Sequence, residues 1–591
     1  MKQISNQKSS NNKESFTQQM AKLKGIFLEN FQSIKSPTYI ELAPITLLYG
    51  PNSSGKSAVF DAIKWIRGVL EESNKPFGDR HDNKARSRDV IKNSFISDDR
   101  RVGNFDDRQM KVGIDVHFSS DENLDASIFT EILDTDGEYG TYHMLKYLRN
   151  KNIQFEISGD WRFLKLAVNS TPILIAGPEF KEFDTNFISI NDENCATESH
   201  ENLRINYKHE IFKDLFSLLM LDDLAKEEEG SIVGMVLFKE GEWLEIRGAG
   251  VNTSIWDVSY PLAWNDFVSL NSLTLEEWVR GEKDKSLIQA AKVEFESVKS
   301  QEERHSAYHR INRLISDLNL FLNALIQMVQ KSLVIGEVDG ARAILSDQEC
   351  YFDEWKSQDN NSLFKYVKYL TGTSIYPIEP PKNDFPNECL ASLLDGMNQY
   401  KFRAVKVAKN IVNPDGSDIE TESIWKPEIP VYIFDEISQK SFYLFVEDVK
   451  GRAFSFSEVG SGLSYVAPVL ANLFLSPLSL IQQPELHLHP LAQCGLGDAL
   501  IISANNQNHA LVETHSEHLL LRILRRIREN TENRCPKKFV IDCNDVKVYY
   551  FNPSNDGFTE VKKLRIDRFG EFQDRWPRGF FTERDAELFD E

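Results

Sequence analysis

From Leu23 onward apolar and polar residues alternate, LKGIFLENFQSIKSPTYIELAPITLLYG, which predicts two or three strands in quick succession. The last of them, ITLLY, is apolar throughout and stops at Gly50. The period then changes. From Ser57 to about Leu70, the residues Val59, Ile63, Ile66 and Leu70 put one apolar stripe on a helix. Residues 72–108 are rich in Asp, Arg, Lys and Asn and read as a loop. From residue 110 to about 285, runs such as KVGIDVHFS, FISI and VGMVLF, broken by acidic loops, predict a β-rich stretch. Helical spacing returns in 286–334, where Ile311, Leu314, Ile315, Leu318, Leu322, Leu325 and Val329 make a stripe that packs on the body or on a second copy. That stretch is too short for a long antiparallel coiled coil. The Pro-rich YPIEPPKNDFP (376–386) marks a boundary. After about Ile429 strands resume as VYIF, SFYLFVEDV and AFSFSEVGSG, and then as LSLI and ALVET. No internal repeat shows.

Composition narrows the class. The chain has 591 residues, 41% hydrophobic and 27% charged, which describes a globular protein of two or three structural units. A net charge of −22 argues against a general nucleic-acid binder, because that activity rests on cations meeting phosphates. The densest positive patch is LLLRILRRIREN with the nearby RCPKKF: Arg522, Arg525, Arg526, Arg528, Lys537 and Lys538. Arg522, Arg525 and Arg526 share a helix face. Nucleic acid stays open as a ligand there, against pairing with the acidic remainder of the chain. The six cysteines are scattered without a C-x-x-C pair and read as reduced cytosolic thiols. No run of ~18 apolar residues predicts a membrane span. The opening MKQISNQKSSNNKESFTQQM lacks an apolar core of the signal-peptide kind, so residues 1–21 are expected to be a disordered tail on a cytoplasmic protein.

The chemistry begins where ITLLY ends. Gly50-x-x-x-x-Gly55-Lys56-Ser57 is the phosphate-binding P-loop spacing, with a strand before it and a helix after. Gly50 and Gly55 let the backbone curl, so that the N–H groups of Gly50, Pro51–Ser54 and Gly55–Ala58, proline apart, turn toward phosphate oxygens (Pro51, Asn52, Ser53, Ser54, Lys56, Ser57, Ala58). The helix dipole adds attraction for the anion. Lys56 is expected to reach the β- and γ-phosphates of ATP, and Ser57 to be a magnesium ligand. The P-loop pattern also calls for a neighbouring strand that ends in an acid, with a base nearby. LSLI, ending in Gln482-Gln483-Pro484-Glu485, and ALVET, ending at His515, are the strands on offer.

The order of P-loop, Gly/Ser-rich loop, apolar strand, x-P-E-L-H-L-H-P and E-T-H-S resembles the ABC-type ATPase heads. More closely, it resembles the bacterial ATPases related to the OLD, RecF and SMC heads. Many of these end in a short domain with a W-P-x-G-F-F tail, and this chain has RWPRGFFTERDAELFDE, with Trp576, Pro577, Gly579, Phe580 and Phe581 in place. The resemblance is good over residues 22–120 and 431–591. It implies an α/β ABC-type P-loop ATPase head with split lobes, and a long inserted arm, part β and part helical, at 121–430.

That resemblance also implies roles. Gly460, Ser461, Gly462 and Ser464 look like the signature loop that touches the γ-phosphate held by the other protomer. His515 looks like the switch histidine. His487 and His489 look like the segment linking two sites across a dimer; as metal ligands they lack a third and fourth partner at matching spacing. In the family the LSLI strand ends in one acid or two, whereas here it ends in Gln482-Gln483. An amide oxygen can meet a magnesium-bound water, but it brings no charge and takes no proton. Glu485 is a candidate base, displaced by ~6–7 Å along an extended chain. Either Gln482 is an engineered, nearly isosteric replacement for glutamate that traps bound nucleotide, or the protein binds ATP and turns it over slowly.

By the OLD resemblance a Toprim nuclease would need a longer stretch after E-T-H-S than this sequence shows; IDCND (541–545) is a poor match for its acids and HNH spacing is missing, so the chain is expected to be an ATPase without its own nuclease. The resemblance therefore implies an ATP- and magnesium-dependent ATPase that forms an ATP-sandwich dimer or higher oligomer and acts on a separate effector or nuclease in antiphage defence. A DNA-repair or DNA-clamping ATPase is the alternative, and a nuclease with an unrecognised site in the middle region is a third.

Overall fold

The computed structural model describes residues 21–73, 110–118, 144–158, 164–177, 202–218, 229–248 apart from 233, 234 and 241, parts of 318–340, 350–351, 400–407, and 441–575 apart from 457. Three strands precede the P-loop: β1 (Ala21–Glu29), β2 (Thr38–Glu41) and β3 (Ile45–Tyr49), and helix α1 (Ser57–Ser73) follows it. β1 and β2 belong to a ten-stranded antiparallel sheet with β4 (Lys111–Phe118), β5 (Asn152–Ser158), β6 (Leu164–Val168), β7 (Thr171–Gly177), β8 (Asn202–Asn206), β9 (Glu229–Ile232), β10 (Met235–Glu240) and β11 (Trp243–Gly248). Its order is β2-β1-β4-β5-β6-β7-β8-β11-β10-β9. β4 ends before residue 120 and pairs with β5, which begins after it, so strands of the first lobe and of the β-rich part of the expected arm share one sheet. Helix α2 (Glu210–Leu218) lies between β8 and β9.

A small antiparallel sheet is built from β13 (Cys350–Tyr351), β14 (Lys401–Val407), β15 (Ser441–Glu447) and β16 (Ala453–Phe454). The third sheet positions the site. It contains β12 (Ile335–Val338), β17 (Leu478–Gln482), β18 (His509–Glu513), β3, β19 (Val546–Pro553) and β20 (Thr559–Leu564), in the order β12-β17-β18-β3-β19-β20. The first five run parallel, and β20 returns antiparallel. Helices α3 (Ser461–Leu475), α4 (Pro490–Asn505) and α5 (Glu517–Thr531) connect the later strands.

The all-apolar ITLLY run has a physical reason: both faces of β3 are covered, as parallel sheets require. Leu48 packs into a core shared with α1 and the antiparallel sheet, while Ile45, Leu47 and Tyr49 pack with α3, α4 and α5. Val59, Ile63 and Ile66 of α1 are buried as the stripe predicts; the side chain of Leu70 lies outside the described residues. Leu318, Leu322, Leu325 and Val329 are buried in the first core, so this stripe packs on the body; Ile311, Leu314 and Ile315 lie outside the described residues. So do FISI, VYIF, the Pro-rich 376–386, most of 72–108, residues 1–20 and the WPRGFF motif.

Of the two strands on offer, β18, which ends in Glu513, lies beside the P-loop strand, and the LSLI strand β17 stands one place further out. Two neighbouring apolar runs in a parallel sheet carry no mark of their order, since each is buried on both faces.

Candidate nucleotide site

The P-loop leaves β3 through Gly50 at φ 148° and turns again at Gly55, φ 83°. Neither position has room for a side chain. A Cβ on Gly50 would sit 2.5 Å from the Phe551 carbonyl oxygen, and one on Gly55 would sit 2.0 Å from Ser33 Oγ. The loop is backed from behind. Thr559 Oγ1, at the start of β20, donates to the Ser54 carbonyl at 2.9 Å and lies 2.9 Å from Ser33 Oγ. Pro51, Asn52, Ser53 and Ser57 are exposed on the open side, and Ala58 is buried in α1. Among the described residues the buried Ser54 hydroxyl has no hydrogen-bond partner.

Lys56 is 3% exposed and lies across the loop. Its Nζ donates to the Gly50 carbonyl at 3.0 Å and to the Pro51 carbonyl at 2.8 Å, and stands 3.6 Å from Glu513 Oε1. Burial lowers the pKa of Lys56 against the pull of Glu513. Burial also raises that of Glu513, helped by Glu485 and Asp61 and opposed by Lys56. Desolvation thus outweighs pairing on both partners, so each charge is held at a cost that its neighbour only partly offsets.

At the ends of β17 and β18 the backbone is held tightly. Gln482 faces Glu513 in the parallel register. Gln483 adopts φ 46°, and its N–H donates to the Glu513 carbonyl at 2.7 Å. Gln482 Oε1 accepts the Gly340 N–H at 3.2 Å. Glu485 accepts from Thr514 Oγ1 and from the His515 N–H, each at 2.7 Å, and so ties the two strand ends together. Ser516 caps α5 by accepting the Leu519 N–H at 3.1 Å, and its own hydroxyl donates to Gln493 Oε1 at 2.7 Å. The His515 imidazole has a lowered pKa, chiefly from burial and then from the Lys56 charge, which keeps it neutral near pH 7.

The Gly/Ser loop opens α3. Gly460 is its N-cap, without a side-chain cap, and Gly460 and Ser461 are exposed. Gly462 packs on the L-H-L-H-P turn, where a Cβ would come within 2.9 Å of the His487 carbonyl oxygen. The Tyr465 ring lies tilted against that of His487, with 4.5 Å between centroids, and Ser464 is fully buried. His489 caps α4, accepting the Leu491 N–H at 3.3 Å. Among the described residues no group of three or more His, Cys, Asp or Glu side chains could hold a metal ion.

Three arginines of the basic patch are paired within the chain, while Lys537 and Lys538 are exposed. Arg522 and Arg526 reach the buried Asp498 at 2.6 and 2.8 Å, and Arg525 and Arg526 reach the buried Glu529 at 2.7 and 2.8 Å. Arg526 also lies over the Phe539 ring at 4.2 Å.

Magnesium suits these donors, which are hard oxygens: the exposed Ser57 hydroxyl, the Gln482 amide oxygen and the Glu513 carboxylate. Bound with ATP, such an ion neutralises phosphate charge. The reading of the sequence missed Glu513, although it stands inside the quoted ALVET, and also the Thr559–Ser33 brace. The signal for Glu513 was an acid closing an otherwise apolar strand. The brace joins residues 526 positions apart and left no local trace.

A parallel sheet with a P-loop at its centre, a second lobe of antiparallel strands and a C-terminal stretch that completes the parallel sheet define a P-loop ATPase of the ABC type. The chain belongs to the AAA ATPase domain family, which matches residues 21–520. Residues 541–590, which include β19 and β20, match a second family, described as Protein of unknown function (DUF3696). Over 47 residues the chain is 49% identical to the chromosome partition protein Smc of Mycolicibacterium paratuberculosis, 8% of this chain and 4% of that protein. Over 54 residues it is 46% identical to Smc of Halothermothrix orenii, 9% of this chain and 4% of that one. The chain thus matches a small fraction of the length of these curated relatives.

Among solved structures it is similar to the Smc head domain with an extended coiled coil from Pyrococcus furiosus, bound to the C-terminal domain of ScpA. The identity is 13%, the TM-score 0.32, and coverage 92% of this chain and 97% of that one. The SMC head domain from Thermotoga maritima is similar at 9% identity and TM-score 0.31, covering 92% of this chain and 100% of that one. At such scores these likenesses add nothing to what the chain's own sheets show. Among the described residues no helix is long and apolar enough to cross a membrane.

Proposed function

We propose that the protein is a cytoplasmic ATP-driven switch. Two copies close around two ATP molecules, each site built from the P-loop of one copy and Gly460–Ser464 of the other. The closed dimer restrains or triggers a separate effector, a nuclease in an antiphage defence system. One observation carries this reading: Lys56 is buried at the loop mouth on two carbonyls and a carboxylate, a pairing that a triphosphate can replace. The exposed start of α3, which has no side-chain cap, supports the second half, because the N-terminal end of a helix suits an anion brought by a partner copy.

In this account Ser57 and Gln482 serve the magnesium ion, and neutral His515 meets the γ-phosphate. Glu485, with both oxygens engaged at the E-T-H-S turn, is the strut that places His515 rather than a proton acceptor. Gln482-Gln483 at the end of β17 leave binding intact and hydrolysis slow. Phosphate release from Mg-ATP tests this directly, with Gln482→Glu and Lys56→Ala beside the chain as given. Turnover that appears with Gln482→Glu and vanishes with Lys56→Ala supports the switch. Turnover insensitive to Lys56→Ala would sink it.

The local likeness to Smc favours a second reading, in which DNA is the ligand of the closed dimer. Co-purification separates the two. A protein partner retained at high salt supports the effector complex, whereas DNA binding that falls steeply with salt supports the clamp.

A further inference from the structure

Two amides and two acids crowd the ends of β17 and β18, and their bonds sort them. Gln482 turns Oε1 toward the edge strand β12 side, onto the Gly340 N–H. Glu485 spends one oxygen on Thr514 and the other on His515. Glu513 differs from both. It closes β18, the strand paired directly with the P-loop strand, with Leu48 as its register partner. Its side chain is 13% exposed and its carboxylate faces the P-loop lysine.

Charge balance then points to a ligand. With Lys56 in place, Glu513 has a counter-ion. Once a triphosphate takes the ammonium, the buried carboxylate is left beside Asp61 and Glu485, both of which act on it as like charges. A buried, unpaired carboxylate is costly, so a cation must arrive with the nucleotide. We propose that Glu513 is the carboxylate that serves the nucleotide's magnesium ion, orienting its water shell from β18 in place of the acid missing at Gln482. The proposal rests on the ATP-binding reading above.

The test is the affinity of a fluorescent ATP analogue, measured with Mg2+ and with EDTA, for the chain, Lys56→Ala and Glu513→Gln. Electron paramagnetic resonance of Mn2+ in place of Mg2+ counts the metal bound alongside the analogue. Glu513→Gln should keep metal-free binding, which also shows that it folds, and should lose about tenfold or more of the enhancement that the metal gives. Bound Mn2+ should fall with it. If the amide variant does not fold, Glu513→Asp draws the carboxylate back by one methylene and should also lower the enhancement. An unchanged metal enhancement in the folded variant, on top of binding that depends on Lys56, overturns the role of Glu513 alone. Binding that does not depend on Lys56 overturns both readings.

Discussion

At the scale of single residues, the site is a contest between burial and charge. His509, at the start of β18, shows the contest most simply: burial, then the charges of Lys22 and Lys24, pull its pKa to about 4. Its unfolded value is ~6.5, so the unfolded chain binds the extra proton between these two values, and stability falls as pH drops through that window. We expect up to roughly 3 kcal/mol to be lost between pH 7 and 4 from this one group. Chemical unfolding at pH 7 and 5 should show a smaller difference in His509→Gln than in the parent. Equal pH sensitivity would remove His509 as a source. The P-loop glycines, Lys56 and the E-T-H-S turn were legible because each is a local pattern with a local cause. Glu513 was not, since an acid at a strand end looks the same whether it faces water or a buried lysine.

At the scale of elements, two contacts decide how the sheet is held. Asp498 on α4 anchors Arg522 and Arg526 on α5. Asp498→Ala would leave Arg522 without its acid and Arg526 with Glu529 alone, and should cost about 3 kcal/mol in unfolding free energy, far more than an exposed ion pair. A loss below ~1 kcal/mol would show that the arginines find other acids. Thr559 couples β20 to the P-loop through the Ser54 carbonyl and Ser33. Thr559→Val keeps the shape and removes the hydroxyl, so nucleotide affinity should fall by about tenfold, roughly 1.4 kcal/mol, while Thr559→Ser restores it. Titration of nucleotide against the three proteins decides the matter; equal affinities would leave the brace without a role. Strand identity was readable from apolar runs, and the helical stripes at Val59–Ile66 and Leu318–Val329 were readable from their period. Strand order was not, because β17 and β18 are both buried on two faces.

At the scale of the whole molecule, the two cores meet across the parallel sheet, and the first sheet takes in strands from both sides of the expected arm boundary at residue 120. The split-lobe head followed from the motif order, while the sharing of one sheet by strands on either side of residue 120 depends on pairings far apart in sequence that no local pattern records. The central claim is that nucleotide closes two copies of this head on each other. Light scattering of the purified chain with and without Mg-ATP tests it, beside Lys56→Ala and Ser461→Arg, which blocks the open start of α3. The account predicts a doubled mass with Mg-ATP that is lost in both variants, while Ser461→Arg still binds nucleotide. A mass that Mg-ATP leaves unchanged in the parent, although ATP is bound, would contradict it.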